Sequence, residues 1–317
     1  MTHHYTFLIN PQARSGKSQG VWTKIQAFLV QHDINFTAKI SKSAGDISNW
    51  AGQFSQQPLS ATEHIVVIGG DGSLNEALNG ILTKDPTAQI PLAYIPAGSG
   101  NDFARAHGLP KDPIESLKVI LRDTTTRSPA TLDIGKFFVH TTGKSNFFLN
   151  NVGVGFDAAT VANTNNSHTK KTFNRMGIGK LSYFSSVFKT LANQSSFSVQ
   201  VTADGETTTL DQAYLLTLSN HPYFGGGINI MPDADPNDQK LDLIIIEHKK
   251  HITRLLYILE EVMRGHDHYR LPEVHRFTAE EIRITTTHAE FAHADGEELG
   301  SHIYDITFTT QTYPFWV

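Results

Sequence analysis

The sequence predicts two domains, an N-terminal α/β domain with a parallel sheet and a C-terminal β-rich sandwich. Three observations lead there. At 317 residues the chain exceeds what one hydrophobic core usually serves. Its first 128 residues alternate short apolar runs with helical patterns, and two of those runs break into glycine-rich turns. Past residue 129 the patterns are mostly strand-like, with few helices between them. The expected boundaries are residues 1–128, rejoined by the C-terminal run 304–317, and residues 129–303.

Tyr5 to Asn10 reads as the first strand, followed by Pro11-Gln12-Ala13-Arg14-Ser15-Gly16-Lys17-Ser18. The Gly-Lys-Ser ending has the look of a P-loop, yet that motif needs glycine five positions before Gly16, where Pro11 stands. The loop is no P-loop, but Arg14 and Lys17 at the end of a strand suit contact with phosphate. Val21, Ile25, Phe28 and Leu29 mark one face of a helix. Phe36 to Ile40 makes a second strand, and a helix around Ile47, Trp50 and Ala51 leads to the third.

That third strand, His64-Ile65-Val66-Val67-Ile68, breaks into Gly69-Gly70-Asp71-Gly72-Ser73. Leu74, Ala77, Leu78, Ile81 and Leu82 then line a helix face. Strand, glycine turn and helix together aim backbone N–H groups and a helix N-terminus at an anion. Glycine lets the main chain approach the ligand with no Cβ in the way. Asp71 alone is a poor neighbour for phosphate, so it points to a bridging divalent cation. The same residues also suit a tight turn that binds nothing. Pro91 to Ile95 is another buried strand, ending in Pro96-Ala97-Gly98-Ser99-Gly100-Asn101-Asp102-Phe103-Ala104-Arg105. A parallel sheet binds ligands beyond the carboxyl ends of its strands, where these three loops gather. Pro113 to Leu117 reads as a short helix and Asp123 to Pro129 as a polar linker.

Composition narrows the functional classes. Cysteine is absent, which excludes disulfides and thiol catalysis and fits a reducing cytoplasm. A formal net charge of −5 argues against a general nucleic-acid binder. No stretch approaches the ~18 uninterrupted apolar residues of a membrane span. Met1-Thr2-His3-His4-Tyr5 runs straight into a strand pattern, so no signal peptide is expected. The sixteen histidines are scattered, and His266, His268, His288 and His293 read as surface residues without metal-ligand spacing.

In the second half, Leu132–His140, Asn146–Phe156, Phe197–Thr202, Ala213–Ser219, Leu241–Glu247 and Glu281–Thr287 read as strands. Between Ala158 and Ala203 no acidic residue occurs, while Lys170, Lys171, Arg175, Lys180 and Lys189 interleave with Phe173, Tyr183, Phe184 and Phe188. Such a segment suits transient contact with an anionic membrane surface; a solvated loop and an amphipathic core helix would read the same way. Asp233, Asp235, Asp238 and Asp242 surround a proline-broken turn that suits either a hard cation or a solvated hairpin. His293-Ala294-Asp295-Gly296-Glu297-Glu298 places carboxylates on a glycine turn between two strand-like runs. Phosphoryl transfer to an alcohol needs a carboxylate within reach of the attacking hydroxyl, and an ordinary hairpin turn carries the same pattern.

Asn10-Pro11, Gly69 to Glu76 and Pro96 to Arg105, in this order and spacing, resemble the diacylglycerol kinase catalytic domain. That family includes soluble bacterial diacylglycerol, sphingosine-type and other lipid kinases. The first glycine loop is shared with NAD kinases and phosphofructokinases; the Leu74-Asn75-Glu76 continuation and Asn101-Asp102-Phe103 are more specific to lipid kinases. Ser73 stands where threonine is usual and keeps the hydroxyl. The resemblance covers essentially the whole chain and implies an NAD kinase-like nucleotide-binding domain, a β-sandwich domain and an active site in the cleft between them.

It further implies ATP and Mg2+ as cofactors, with ATP along Asn10, Pro11, Gln12, Ala13, Arg14, Gly70, Gly72, Ser73, Leu74, Asn75, Glu76 and Ser99, and Ser41 as a weaker contact. Asp71 would help hold the magnesium of Mg–ATP, and Glu297 would be the catalytic base. By the same resemblance Asp238 ligates a structural magnesium through its side chain, with carbonyls from Asp235 and Lys240. Gln239 replaces the family's glycine there, which strains the turn if that position needs a positive φ. Lys17 and Lys180 are expected to touch phosphate or membrane. The expected activity is ATP-dependent phosphorylation of a lipid hydroxyl, with diacylglycerol to phosphatidic acid as the leading case, by a cytoplasmic, peripherally membrane-associated enzyme. Exposed strand edges in the second domain suit a homodimer. The competing readings are a soluble NAD kinase-like enzyme and a nonenzymatic nucleotide- or lipid-binding protein.

Overall fold

The computed structural model describes residues 2–56, 59–155, 195–248, 252–265 and 268–317. Lys180, the basic aromatic run around it, His266 and Asp267 lie outside the described residues. The chain forms two compact units, Met1–Ile134 with Gly225–Gly227 and Thr312–Val317, and Gly135–Phe224 with Ile228–Gln311.

In the first unit, β1 (His4–Ile9), β2 (Asn35–Ile40), β3 (Glu63–Gly69) and β4 (Leu92–Pro96) form a parallel sheet in the order β2-β1-β3-β4. Phe315 and Trp316 extend it beside β4. Ile65 to Ile68 are wholly buried, as a parallel strand covered on both faces requires. The helices are α1 (Ser18–Gln31), α2 (Asp46–Phe54), α3 (Asp71–Lys84), α4 (Asp102–Ala106) and α5 (Pro113–Thr126). Trp22, Ile25 and Leu29 of α1 and Leu117 and Ile120 of α5 pack with Phe7, Ile9, Val66, Ile68 and Ile95 in one core layer.

The short helix expected at residues 113–117 instead runs to Thr126, so the expected linker at 123–129 is mostly helix. Asp112 caps its start by accepting from the amides of Ile114 and Glu115, with Pro113 in the first turn. At its far end the polar side chains are satisfied inside the fold. Tyr5 and Thr124 share a buried hydroxyl–hydroxyl bond of 2.8 Å, and Asp123 sits between Arg122 and Arg127. A polar sequence thus concealed a packed helix end.

The second unit takes up β5 (Ala130–Val139) from Gly135 onward. It continues with β6 (Lys144–Phe148), β7 (Asn151–Gly155), β8 (Phe197–Ala203), β9 (Glu206–Ser219), the short pair β10 (Tyr223–Phe224) and β11 (Ile228–Asn229), and β12 (Leu241–Glu247). After helix α6 (Ile252–Arg264) come β13 (Val274–Ala279), β14 (Glu281–Thr286), β15 (Glu290–Ala294), β16 (Glu297–His302) and β17 (Asp305–Trp316). The pairings run β16-β15-β7-β9-β8-β14-β17, with β12 joining β9 to β13 and β5 joining β17 to β6. This is the expected antiparallel sandwich. Val152, Val154, Leu216, Leu218, Leu243, Ile245, Ile282, Ile284 and Phe308 fill one core. The opposite faces of β9 and β12 bury Tyr214, Ile244 and Ile246 against Leu255, Ile258 and Val262 of α6.

Helix α6 lies among these strands, with Leu255, Ile258 and Val262 at helical spacing. Two expectations need correction here. Within the strand expected at Asn146–Phe156, the described residues form two strands, broken at Leu149-Asn150. His268 and His293 are buried, not surface residues. His268 Nε2 lies 2.9 Å from the carbonyl of Ile230, which is how an apolar interior accepts an imidazole.

Candidate active site

The glycine turns of the first unit meet at the carboxyl ends of β1, β3 and β4. The amide of Ala97 donates to the Gly69 carbonyl at 2.7 Å, bringing the Pro96–Asn101 turn onto the start of α3. Here glycine is obligatory: a Cβ on Gly98 would lie 2.5 Å from Gly70 Cα. Asn101, in the left-handed region at φ 54°, holds this turn with its side chain, accepting from the Gly98 amide at 2.9 Å and donating to the Gly98 carbonyl at 3.2 Å. No side chain caps α3; the Ser73 amide turns back onto the Gly70 carbonyl at 2.9 Å, which leaves the Asp71 and Gly72 amides as donors for an anion, and a Cβ on Gly72 would meet nothing within 4 Å.

The remaining expected contacts sort by position. Asn10 Nδ2 donates to Ser73 Oγ at 3.0 Å, and its Oδ1 accepts from the Gln12 amide at 3.1 Å, which ties the loop after β1 to the turn after β3. Pro11, Gln12 and Ala13 continue that loop. Arg14, Ser15 and Gly16 all have positive φ, and Arg14 and Lys17 are exposed. Ser41 follows β2, its amide donating to the Ile9 carbonyl at 2.8 Å. Ser99 is exposed on the second turn. Leu74 is buried, Asn75 accepts from Asn79 at 2.8 Å, and Glu76 accepts from the Ser48 amide at 3.4 Å.

Asp71 is built into the junction. Its two oxygens accept from the amides of Asp102 and Phe103, each at 3.2 Å, which caps α4. Burial, and next the Asp102 carboxylate, push the Asp71 carboxyl above its usual range. Asp102 in turn pairs with Arg105 and accepts from the Gly226 amide at 2.7 Å. This last partner carries no recognisable motif in the sequence. Gly225, Gly226 and Gly227 belong to the first unit and have φ of 58°, 93° and 108°, and three consecutive glycines were the available signal. Asp71 and Asp102 offer carboxylate oxygens, the donor chemistry that suits a hard divalent cation, with Arg105 already paired to Asp102.

In the second unit, Asp295 and Gly296 form a two-residue turn between β15 and β16, with φ of 48° and 82°, the left-handed pair that such hairpins require. Glu297 follows, exposed and paired with Ala294, while Glu298 pairs with His293. Alternation therefore directs Glu297 and Glu298 to opposite faces of the hairpin. Around the acidic turn, Asp233 pairs with Arg276 at 3.2 Å and Asp242 accepts from Thr278 at 2.6 Å. Asp235 accepts from the Asn237 amide and Asp238 from the Lys240 amide. Gln239 does take a positive φ, 61°, the conformation glycine would adopt without strain. Among the described residues no three His, Cys, Asp or Glu side chains group to hold a metal, so Asp238 would rely on the carbonyls of Asp235 and Lys240.

Comparison with known proteins agrees with this architecture. Residues 4–132 match the diacylglycerol kinase catalytic domain, and residues 150–311 match the YegS C-terminal NAD kinase beta sandwich-like domain. A Bacillus subtilis (strain 168) protein named "Putative lipid kinase YtlR" is 29% identical over 300 residues, covering 94% of each chain. A Staphylococcus aureus (strain Newman) protein named "Putative lipid kinase" is 26% identical over 303 residues, 93% of this chain and 90% of that one. The crystal structure of a "putative diacylglycerol kinase" from Bacillus anthracis str. Sterne superposes with a TM-score of 0.72 at 24% identity, over 98% of this chain and 97% of that one, a likeness of fold. By its matched segments, this chain belongs to the diacylglycerol kinase catalytic-domain and YegS family.

Proposed function

We propose that the protein is an ATP-dependent lipid kinase that transfers the γ-phosphate to a lipid hydroxyl, converting diacylglycerol to phosphatidic acid. The observation that carries this reading is the contact of Gly70 with Gly98 beside the uncapped start of α3. It makes a glycine-walled, donor-rich seat for a polyphosphate, and the family supplies the class of acceptor. The loop after β1, with Arg14 and Lys17, adds positive charge to the same end of the sheet. Asp71, with Asp102 behind it, would hold magnesium, which neutralises phosphate charge during transfer. Asp238, with the carbonyls of Asp235 and Lys240, is the candidate seat for a structural magnesium.

Glu297 accepts the hydroxyl proton as the lipid oxygen bonds to the γ-phosphorus and the bridging bond to ADP breaks. The carboxylate comes from the second unit and the phosphate seat from the first, so the reading requires both in one active site. The work takes place at a membrane surface on the cytoplasmic side.

The test is labelled ATP presented with diacylglycerol, monoacylglycerol, ceramide, a sphingoid base and undecaprenol in mixed micelles, alongside NAD. Label in phosphatidic acid, dependent on magnesium, is the expected result. Label in NAD with none in lipid would replace this reading with a soluble NAD kinase. ATP binding without transfer to any acceptor would make the chain a binding protein.

A further inference from the structure

The hairpin that carries Glu297 is anchored by an element remote in sequence. The Asp295 carboxylate accepts three consecutive backbone N–H groups: Leu149 on Oδ2 at 2.7 Å, and Asn150 and Asn151 on Oδ1 at 2.9 and 3.0 Å. Its own amide donates to the Asn151 carbonyl at 2.9 Å. These four bonds fasten the hairpin turn to the break between β6 and β7. That break is itself held from behind. Ser219 Oγ shares its one proton between the Asn150 carbonyl at 2.7 Å and the His221 carbonyl at 2.8 Å, and His221 Nε2 lies 2.9 Å from Asn150 Oδ1. The Tyr223 amide donates to His221 Nδ1 at 3.2 Å, which leaves the ring proton on Nε2 to donate to Asn150. Asn150, Ser219 and His221 are all buried, at 4%, 0% and 1% exposure, so this support lies inside the fold.

Glu297 itself is exposed and lies on β16, an edge strand paired only with β15 among the described residues. A strand paired on one side holds its residues less firmly than an interior strand. A carboxylate taking three N–H bonds two residues before it supplies what the edge lacks. The geometry points to Asp295 as a positioning residue for Glu297: it sets the carboxylate of the hairpin in place, and the Asn150, Ser219 and His221 network sets Asp295. This inference rests on Glu297 acting as the base. It assigns a role to the first residue of Asp-Gly-Glu, which otherwise reads as turn chemistry.

The distinction from a merely structural turn is energetic coupling. In Asp295→Asn, Oδ1 can still serve Asn150 and Asn151, but the amide nitrogen faces the Leu149 N–H, donor against donor. Displacing a general base by a fraction of its hydrogen-bond length lowers kcat and leaves ATP binding alone. The experiment is a double-mutant cycle on the full chain, assayed with labelled ATP and diacylglycerol in mixed micelles, for Asp295→Asn, Glu297→Gln and both together. Ser219→Ala serves as a milder variant, and thermal melts accompany each.

Expected are a loss of about 100-fold or more in kcat for Glu297→Gln, about tenfold for Asp295→Asn with KM for ATP unchanged, and a double variant no slower than Glu297→Gln. Ser219→Ala loses less, again without further loss on the Glu297→Gln background. Wild-type kcat in Asp295→Asn, a loss confined to KM, or losses that multiply in the double variant would overturn the assignment. Should Asp295→Asn fail to fold, the same reading is taken from Ser219→Ala, where multiplying losses overturn it too. Full turnover in Glu297→Gln would instead remove the base on which the inference rests, a failure seen without any Asp295 variant.

Discussion

Asp71 accepts from the Asp102 and Phe103 amides and so builds the junction of the two glycine turns, while burial and then the Asp102 carboxylate push its carboxyl above the usual range. Under the reading proposed here it also holds magnesium. Gly-Gly-Asp-Gly suggests that second part in the sequence but not the first, because the amides it caps lie about thirty residues on. His64 shows another property of single residues. It is buried beside Tyr5 and Trp316 and 2.7 Å from His3 Nδ1, and burial, then the charge of His3, lower its pKa from 6.5 to about 4. The unfolded chain therefore takes up a proton between pH 6.5 and 4 that the folded one refuses. Stability contributed by neutral His64 is complete above pH 6.5 and is lost as pH falls towards 4, by about 2 kcal/mol at pH 5. Denaturant unfolding at pH 7.5 and pH 5 should show His64→Gln losing less stability than the wild type by about that amount. Equal losses in the two proteins would contradict it.

At the scale of elements, the strand-to-helix turns of the first unit were legible because glycine placement has few explanations. Gly98 has one: its Cα lies against Gly70, and no side chain fits between. Gly98→Ala should therefore either separate the two turns or destabilise the unit, by about 1–3 kcal/mol. In either case ATP affinity falls at least tenfold while the second unit keeps its fold. Unchanged nucleotide affinity in that variant, measured by calorimetry, would show that the seat does not depend on this contact. Other elements were hidden for physical reasons. The end of α5 is polar but internally bonded, and the break at Leu149-Asn150 is made by a carboxylate at residue 295. Gly225–Gly227 carries no motif in the sequence, yet Gly226 supplies the amide that Asp102 accepts. Contacts of this kind join positions far apart in the chain, and no local pattern reports them.

For the whole molecule, the order of the motifs carried more than any one of them. A glycine loop after β3, a second after β4 and an Asp-Gly-Glu hairpin near the end specify a family, and the family fixes both units. No helix among the described residues is long and apolar enough to cross a membrane. That reading divides the chemistry between the units, phosphate in one and base in the other. Such catalysis consists of positioning and charge stabilisation, so removing the base should cost turnover without affecting nucleotide binding. The most direct measurement is transfer of label from γ-labelled ATP to diacylglycerol in mixed micelles with magnesium, run side by side for wild type, Glu297→Gln and Glu298→Gln. The account predicts labelled phosphatidic acid from the wild type, near-normal amounts from Glu298→Gln, and about a hundredth or less from Glu297→Gln. Absence of labelled lipid from the wild type, or undiminished label from Glu297→Gln, would contradict it.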